Sequence, residues 1–331
     1  MSIELAGLGN AIMDALIRID DDGVLAELGV PRGQMTLVDH TRWHAVYERL
    51  HHHGVDVHAG GSCANTVATA AILGARARYC GQVGDDRFGT LYGESLSAAC
   101  GDHALRTVAG AVSGKCLSLI SRADGERTML TDLGVAGSFG TLAEFGDVIR
   151  SARVAHFEGY LFLPGASQAV AWDAVRAAKA AGVPVSFDCA DPFVAHAIRD
   201  DVETLLREYV TIAFLNREEA EAITGLGAYP AVDVLGGWVP YAVVKLGGEG
   251  SLVRHGAHTT HIRVFPTRVQ DTTGAGDSYA GGFLYGWLRG WSPAKCGELG
   301  SRVASLTVGQ VGAVCRDRAA MNAALYATEA G

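Results

Sequence analysis

Asp271-Thr272-Thr273-Gly274-Ala275-Gly276-Asp277, running into the small-residue stretch Ser278 to Gly290, is the segment from which the rest of the chain can be read. Three small residues opening a helix leave backbone N–H groups that no preceding carbonyl reaches. These donors, with the positive end of the helix dipole, make an anion site. Asp277 falls in the first turn of that helix, beside the anion. Taken alone, the segment would also suit a glycine-rich turn whose acidic residue complements the dipole, so the choice rests on what else the chain carries.

The chain has 331 residues, 49% of them hydrophobic, enough for one large core or two of ordinary size. Its 27 Lys and Arg against 36 Asp and Glu give a net charge of −9, which repels a phosphate backbone and argues against a nucleic-acid binder. Seven cysteines without C-x-x-C spacing indicate neither a disulfide framework nor a zinc ribbon, and a reducing cytoplasm suits them. Met1 to Asp20 lacks the basic start and apolar run of a secretory leader, and no apolar run reaches the roughly 18 residues that span a bilayer. The expectation is a cytoplasmic monomer or homodimer acting on a small molecule, with no membrane or nucleic-acid partner.

Short apolar runs at Ile3 to Leu8, Arg78 to Val83, Val154 to Phe157, Val183 to Phe187, Thr211 to Leu215 and Tyr241 to Leu246 read as buried strands. Helical stretches are read at Cys63 to Leu73, Phe88 to Ala99, Leu142 to Ser151, Ala166 to Ala181, Arg217 to Thr224, Ala275 to Arg289, Pro293 to Gly309 and Arg318 to Thr328. Their alternation predicts an α/β fold with a central, mostly parallel sheet flanked by helices. Ala15 to Ile19, Met35 to Val38, Leu105 to Val108 and Leu117 to Thr131, the last turning at Ala123-Asp124-Gly125, read instead as antiparallel strands of a small β lid. No linker or repeat divides the chain, so residues 1–331 are expected to form a single domain, with lid strands inserted from about 15–19, 35–38 and 105–131.

The glycine-rich segment has companions in order along the chain. Gly60-Gly61-Ser62-Cys63-Ala64-Asn65 leads into a helix, followed by Gly74 and Gly81-Gln82-Val83-Gly84-Asp85-Asp86. Asn216-Arg217-Glu218-Glu219 has N-x-x-E spacing, and Lys245-Leu246-Gly247-Gly248-Glu249-Gly250 resembles a T-x-G-x-x-G loop with Lys245 in place of Thr. Together with Asp271 to Asp277, these resemble the signatures of the ribokinase-like (PfkB) carbohydrate and nucleoside kinases over nearly the whole chain.

The resemblance implies a ribokinase-like fold and an ATP- and Mg²⁺-dependent phosphotransferase. It implies that Asp277 accepts the proton of the attacking hydroxyl and that Gly274, Ala275 and Gly276 form the anion hole. Asn216, Lys245, Gly247 and Gly250 would meet the nucleotide. Glu219 and Asn216 would hold Mg²⁺ through waters, although Asn216 also suits a helix cap. A monovalent cation, K⁺, would overlap Asp271 and Thr273. Asn10, Asp14, Gly60, Gly61, Ser62 and Asn65 would bind the acceptor, and Arg127 would reach the phosphates from the lid. The N-x-x-x-D spacing of Asn10 and Asp14 resembles the adenosine kinases of the family. Gln34, Met35, Leu37, Leu133, Tyr160 and Phe162 could wall a flat base or be plain core. The expected reaction is phosphorylation of a nucleoside 5′-hydroxyl, adenosine foremost. The alternatives are a sugar kinase of the same fold acting on ribose, fructose or a 2-keto-3-deoxy sugar acid and, more remotely, a nucleotide-dependent oxidoreductase.

Three weaker patterns fail. Gly7-Leu8-Gly9 begins a dinucleotide fingerprint but reaches Ile12 where a third glycine is needed. Gly110 to Cys116 is one residue short of a P-loop and ends in Cys. The run His51-His52-His53 with His58 reads as a solvated loop rather than a metal tract.

Overall fold

Short segments of four to eight residues, most of them apolar, become the strands of a nine-stranded sheet in the computed structural model, which describes residues 2–124 and 126–330. In chain order the strands are β1 (Leu5–Leu8), β2 (Ile12–Ile19), β3 (Met35–Leu37), β4 (Asp56–Gly60), β5 (Ala77–Gly84), β6 (Ala104–Val108) and β7 (Gly114–Ser121). There follow β8 (Arg127–Asp132), β9 (Val154–Glu158), β10 (Val185–Asp188), β11 (Val210–Asn216), β12 (Tyr241–Lys245), β13 (Ser251–His255) and β14 (His258–Ile262). The large sheet runs β14-β13-β12-β11-β10-β9-β1-β5-β6, parallel from β12 to β6, with β13 and β14 added antiparallel at one edge. Side chains alternate along each strand, so β11 feeds both faces. Ala213 and Leu215 pack with the helices Gln168–Ala180, Arg199–Glu208 and Ala228–Gly236, while Ile212 and Phe214 pack with Ser62–Ile72, Ala275–Leu288 and Pro293–Val308.

The small sheet, β3-β8-β7-β2-β4, is a lid drawn from two stretches of chain, residues 12–60 and 114–132. It has its own core of Ile17, Leu25, Trp43, Leu117, Leu119 and Leu130. Only Gly9-Asn10-Ala11 separates β1 in the large sheet from β2 in the lid.

Several expectations change. The run at Leu105 to Val108 is not a lid strand: Ala104–Val108 pairs parallel with β5 at the edge of the large sheet, closing a β-α-β unit around the Arg87–Cys100 helix. The lid is mixed rather than antiparallel, since β2 runs parallel to β7 and β3 parallel to β8. β2 starts at Ile12 rather than Ala15, which makes Asp14 a strand residue. Leu142 to Ser151 divides into a short turn of 3-10 helix and the helix Gly146–Arg150. The turn expected at Ala123-Asp124-Gly125 includes Gly125, which lies outside the described residues. No helix among the described residues is long and apolar enough to cross a membrane.

Strand order fixes where a ligand belongs. From β1 the chain winds one way to β5 and β6, then returns to the other side for β9 to β12. The carboxyl ends of β1 and β9 therefore flank the switch point, where open α/β sheets leave a crevice.

Candidate active site

A cavity of about 570 Å³ occupies that crevice beneath the lid. Asn10, Asp14, Gly61, Ser62, Arg127, Asn216, Glu219, Lys245, Gly247 and Thr272 to Asp277 all line it. So do Met35, Leu37, Leu133 and Tyr160, whereas Phe162 is buried in the sheet core and Gln34 is not in the lining.

Gly274 adopts φ 68° at the start of the Ala275–Leu288 helix, and a Cβ there would lie 2.1 Å from the Ala313 carbonyl, so both conformation and space require glycine. No side chain caps this helix. The Ala275 N–H turns back to the Thr272 carbonyl at 3.3 Å, but the Gly276 N–H has no acceptor among the described residues. Such a donor can hold an anion.

Asp277 faces the cavity with both oxygens engaged. Oδ1 accepts from Ser62 Oγ at 2.7 Å and Oδ2 from Asn65 Nδ2 at 2.8 Å. Ser62 and Asn65 thus hold this carboxylate, and Asn65 is not in the cavity lining. Burial, with Asp188 nearby, pushes the Asp277 carboxyl up to about 6 against the opposing hydrogen bonds and Lys245. Asp14 is pushed up to about 6 by burial despite Arg127. Gly60 lies against it, since a Cβ there would meet Asp14 Oδ2 at 2.2 Å.

Arg127 on β8 crosses from the lid and donates to Thr273 Oγ1 in the glycine-rich loop and to Ser118 Oγ. Asp271 is absorbed within that loop: Oδ1 accepts from the Thr273 N–H and hydroxyl, and Oδ2 from the Gly312 N–H. Its carboxyl ends below the usual range, because these hydrogen bonds and Arg127 outweigh burial. Gly250 is not in the cavity lining; with φ 96° it ends the Gly247–Glu249 turn that leads into β13.

Asn216 and Glu219 form a capping box. Asn216 Oδ1 accepts from the Glu219 N–H, while the two Glu219 oxygens accept from the Asn216 N–H and Nδ2. Glu219 is buried, yet each carboxylate oxygen has only this one bond and so keeps a lone pair. Among the described residues no group of three or more His, Cys, Asp or Glu converges as a metal site, and His51 to His53 form an exposed turn.

Three carboxylates were not singled out from the sequence. Asp188, ending β10, accepts from Lys245 Nζ at 2.7 Å and from the Ala190 N–H at 3.0 Å. Ala190 is the one non-glycine residue with positive φ among the described residues, 72°, a strained backbone beside the cavity. Burial opposes the charge of Lys245, but Asp188 and Glu219 more than restore it and its pKa ends raised. Its ammonium reaches the helix N-terminus, 3.0 Å from where a Cβ on Gly276 would stand. Asp191 accepts from Tyr160 Oη at 2.8 Å. Glu158, ending β9, accepts from the Asn10 and Cys63 N–H groups. Glu158 and Asp188 share one sequence signal, a carboxylate at the carboxyl end of a buried parallel strand. The failed patterns have packing explanations: Gly7 and Gly9 admit Val67 and Cys63, and Lys115 is buried against Asp132 at 2.5 Å.

The sequence pattern of the PfkB family carbohydrate kinases matches residues 34–317. The chain belongs to that family. It is therefore a kinase with the ribokinase-like fold. The PfkB chain is 29% identical to adenosine kinase of Saccharomyces cerevisiae, over 94% of its own length and 96% of the yeast protein. The crystal structure of adenosine kinase from Sinorhizobium meliloti superposes with a TM-score of 0.90 at 34% identity, covering 99% of this chain and 100% of that one. A 5-dehydro-2-deoxygluconokinase of Geobacillus thermodenitrificans is 28% identical over 76% of this chain and 78% of its own. Its PfkB relatives thus include both nucleoside and sugar kinases.

Proposed function

We propose that this PfkB kinase transfers the γ-phosphoryl group of ATP to the 5′-hydroxyl of a nucleoside, adenosine foremost, yielding the nucleoside monophosphate and ADP. The observation that carries the reading is the mixed lining of one cavity. Asn10, Asp14 and the apolar lid residues Met35, Leu37, Met129 and Leu133 line it together with Asp277 and Lys245, whose ammonium lies at the helix N-terminus beside the free Gly276 N–H. A ribose held by Asp14, with its base against the apolar wall, presents its hydroxymethyl group toward Asp277. The buried Oδ1 of Asn10, an acceptor without a donor, suits a substrate hydroxyl or amino group.

In this mechanism the 5′-oxygen attacks the γ-phosphorus as the bond to the β,γ-bridging oxygen breaks, and the hydroxyl proton passes to Asp277. Ser62 and Asn65 orient the carboxylate that receives it, and proton transfer to such a base is worth about 10²- to 10⁴-fold in rate. Charge gathering on the phosphoryl oxygens meets the Gly274 to Gly276 backbone, Lys245 and Arg127. Mg²⁺ would neutralise charge across the phosphates, its waters hydrogen-bonded to the free lone pairs of Glu219. The Asp271 carboxylate is engaged within its loop, so K⁺ would meet backbone carbonyls there instead.

The test is kcat/KM for adenosine, 2′-deoxyadenosine, ribose, fructose and a 2-keto-3-deoxy sugar acid by coupled ADP release. Adenosine is expected first, 2′-deoxyadenosine second and ribose far behind, since losing the base forfeits apolar burial. A sugar outranking adenosine by about tenfold would replace this reading with a sugar kinase.

A further inference from the structure

We infer that the buried pair Lys115–Asp132 pins the register of the lid hairpin and thereby positions Arg127. The inference rests on the phosphoryl-transfer reading, and neither residue of the pair lines the cavity.

β7 and β8 pair antiparallel, with Lys115 opposite Asp132 at one end and Ile120 opposite Arg127 at the other. Their side chains alternate between two faces. Cys116, Arg127, Met129 and Thr131 line the cavity, whereas Leu117, Leu119 and Leu130 pack on the other face with Trp43 of the His40–Leu50 helix. Lys115 and Asp132 belong to this apolar face. Lys115 is 2% exposed; its Nζ donates to Asp132 Oδ2 at 2.5 Å and stands 5.1 Å from the centre of the Trp43 ring. Asp132 Oδ1 accepts from the Gly134 N–H at 2.9 Å, where the chain leaves the lid, and His40 Nδ1 lies 3.6 Å from Oδ2.

Alternation alone leaves the hairpin a choice. A slip by one residue would turn Arg127 into the lid core, and the apolar pattern excludes it. A slip by two keeps every side chain on its face. The remaining pairs on the apolar face, Leu117 with Leu130 and Leu119 with Thr128, would tolerate that slip, and β3, the other neighbour of β8, is only three residues long. The ion pair would not. One direction sets Asp132 opposite Leu117, the other sets Lys115 opposite Leu130, and each buries a charge without its partner. The same slip would carry Arg127 about 7 Å along the strand. In the native register Arg127 donates to Thr273 Oγ1 of the glycine-rich loop, and the slip would take it out of reach.

A buried ion pair is a poor device for stability alone, since apolar residues of similar volume serve as well or better. What this one adds is a single allowed pairing of the strands. It also accounts for the near P-loop at Gly110 to Cys116, whose lysine is turned to Asp132 inside the lid rather than toward a phosphate.

The experiment compares wild type with Lys115→Met/Asp132→Asn, which removes both charges, keeps the side-chain sizes and leaves an oxygen for the Gly134 N–H. Tm is expected to stay within about 3 °C of wild type. A fall in kcat of about tenfold is expected, as when a charge-assisted contact to the reacting group is lost. On an Arg127→Ala background the same change should lower kcat by no more than about twofold, because the contact it misplaces is already gone. Register is read directly by oxidation with diamide after adding one cysteine. Thr131→Cys should link to Cys116, its partner across the strands, in the otherwise wild-type chain. In the charge-free variant that link should weaken, and Met129→Cys or Leu133→Cys should link instead. Unchanged kcat with an unchanged link at 131, a loss of Tm without either change, or an additive loss of kcat on the Arg127→Ala background overturns the positioning role. Should the charge-free variant fail to fold, the otherwise wild-type chain carries the test: a link at 131 alone upholds the fixed register, and comparable links at 129 or 133 overturn it. Wild-type protein that releases no ADP with any acceptor overturns the phosphoryl-transfer reading beneath the inference, while the cross-links judge the register separately.

Discussion

In the proposed reaction Asp277 shows how a single carboxyl group can be fitted to the task of a base. An exposed aspartate at a helix N-terminus would be a weak base, because the dipole and solvent favour its ionised form. Here burial works against that preference, and a value of about 6 leaves the group about nine-tenths ionised at pH 7 while raising its affinity for a proton. Replacing it with Asn keeps the shape and removes the base. Asp277→Asn should lower kcat by at least about 10²-fold with little change in acceptor KM. The wild-type kcat should fall about tenfold per pH unit below about pH 6, as the carboxylate is protonated. Steady-state kinetics from pH 5 to 8 check both, and near-normal turnover in the variant would remove Asp277 from the reaction.

At the scale of elements, the ends of β10 and β12 are joined by the Asp188–Lys245 pair, which also brings an ammonium to the helix N-terminus. Removing one partner of a buried pair strands the other, at a cost of about 3 kcal/mol or more. Lys245→Thr should therefore lower both Tm and kcat. Adding Asp188→Asn should recover Tm without recovering ATP KM or kcat, whereas full recovery would reduce Lys245 to a partner of Asp188. Elements with continuous apolar runs or a contiguous glycine motif were legible before any fold was known: β1, β5, β9 to β12 and the Ala275–Leu288 helix all stand within a few residues of their expected bounds. The helices His40–Leu50 and Arg199–Glu208 bury only three residues each and look like solvated chain. β6 looked like lid because it is half-exposed at a sheet edge, and only its pairing with β5 tells otherwise. In the site, the Asp271 to Asp277 segment was legible because its parts are adjacent in sequence. Ser62 and Asn65 were assigned to the acceptor because nothing local points them at Asp277, more than two hundred residues away. Glu219 and Asn216 carried a metal reading and Asn216 a cap reading as well; the structure shows the cap, with one bond to each Glu219 oxygen.

For the whole molecule, the site weakens the fold that carries it. Asp14 and Asp277 have folded-state pKa values of about 6, above the ordinary carboxylate value. A group raised in this way contributes its full stability below its unfolded pKa, near 4, and loses it as pH rises through about 6. The combined variant Asp14→Asn with Asp277→Asn should thus unfold at a higher temperature than wild type, by a margin wider at pH 8 than at pH 5. A margin that shrinks with rising pH in thermal melts would contradict this assignment. The route of the chain has a consequence for descent. The lid enters as two cassettes, 12–60 and 114–132, whereas Asn216, Lys245 and the glycine-rich loop come from the last 120 residues. Recombination at four loop junctions can therefore exchange the apolar lid wall of Met35, Leu37, Met129 and Leu133 while leaving Asn216, Lys245 and the glycine-rich loop in place, with Arg127 the one proposed phosphate contact that travels with the lid.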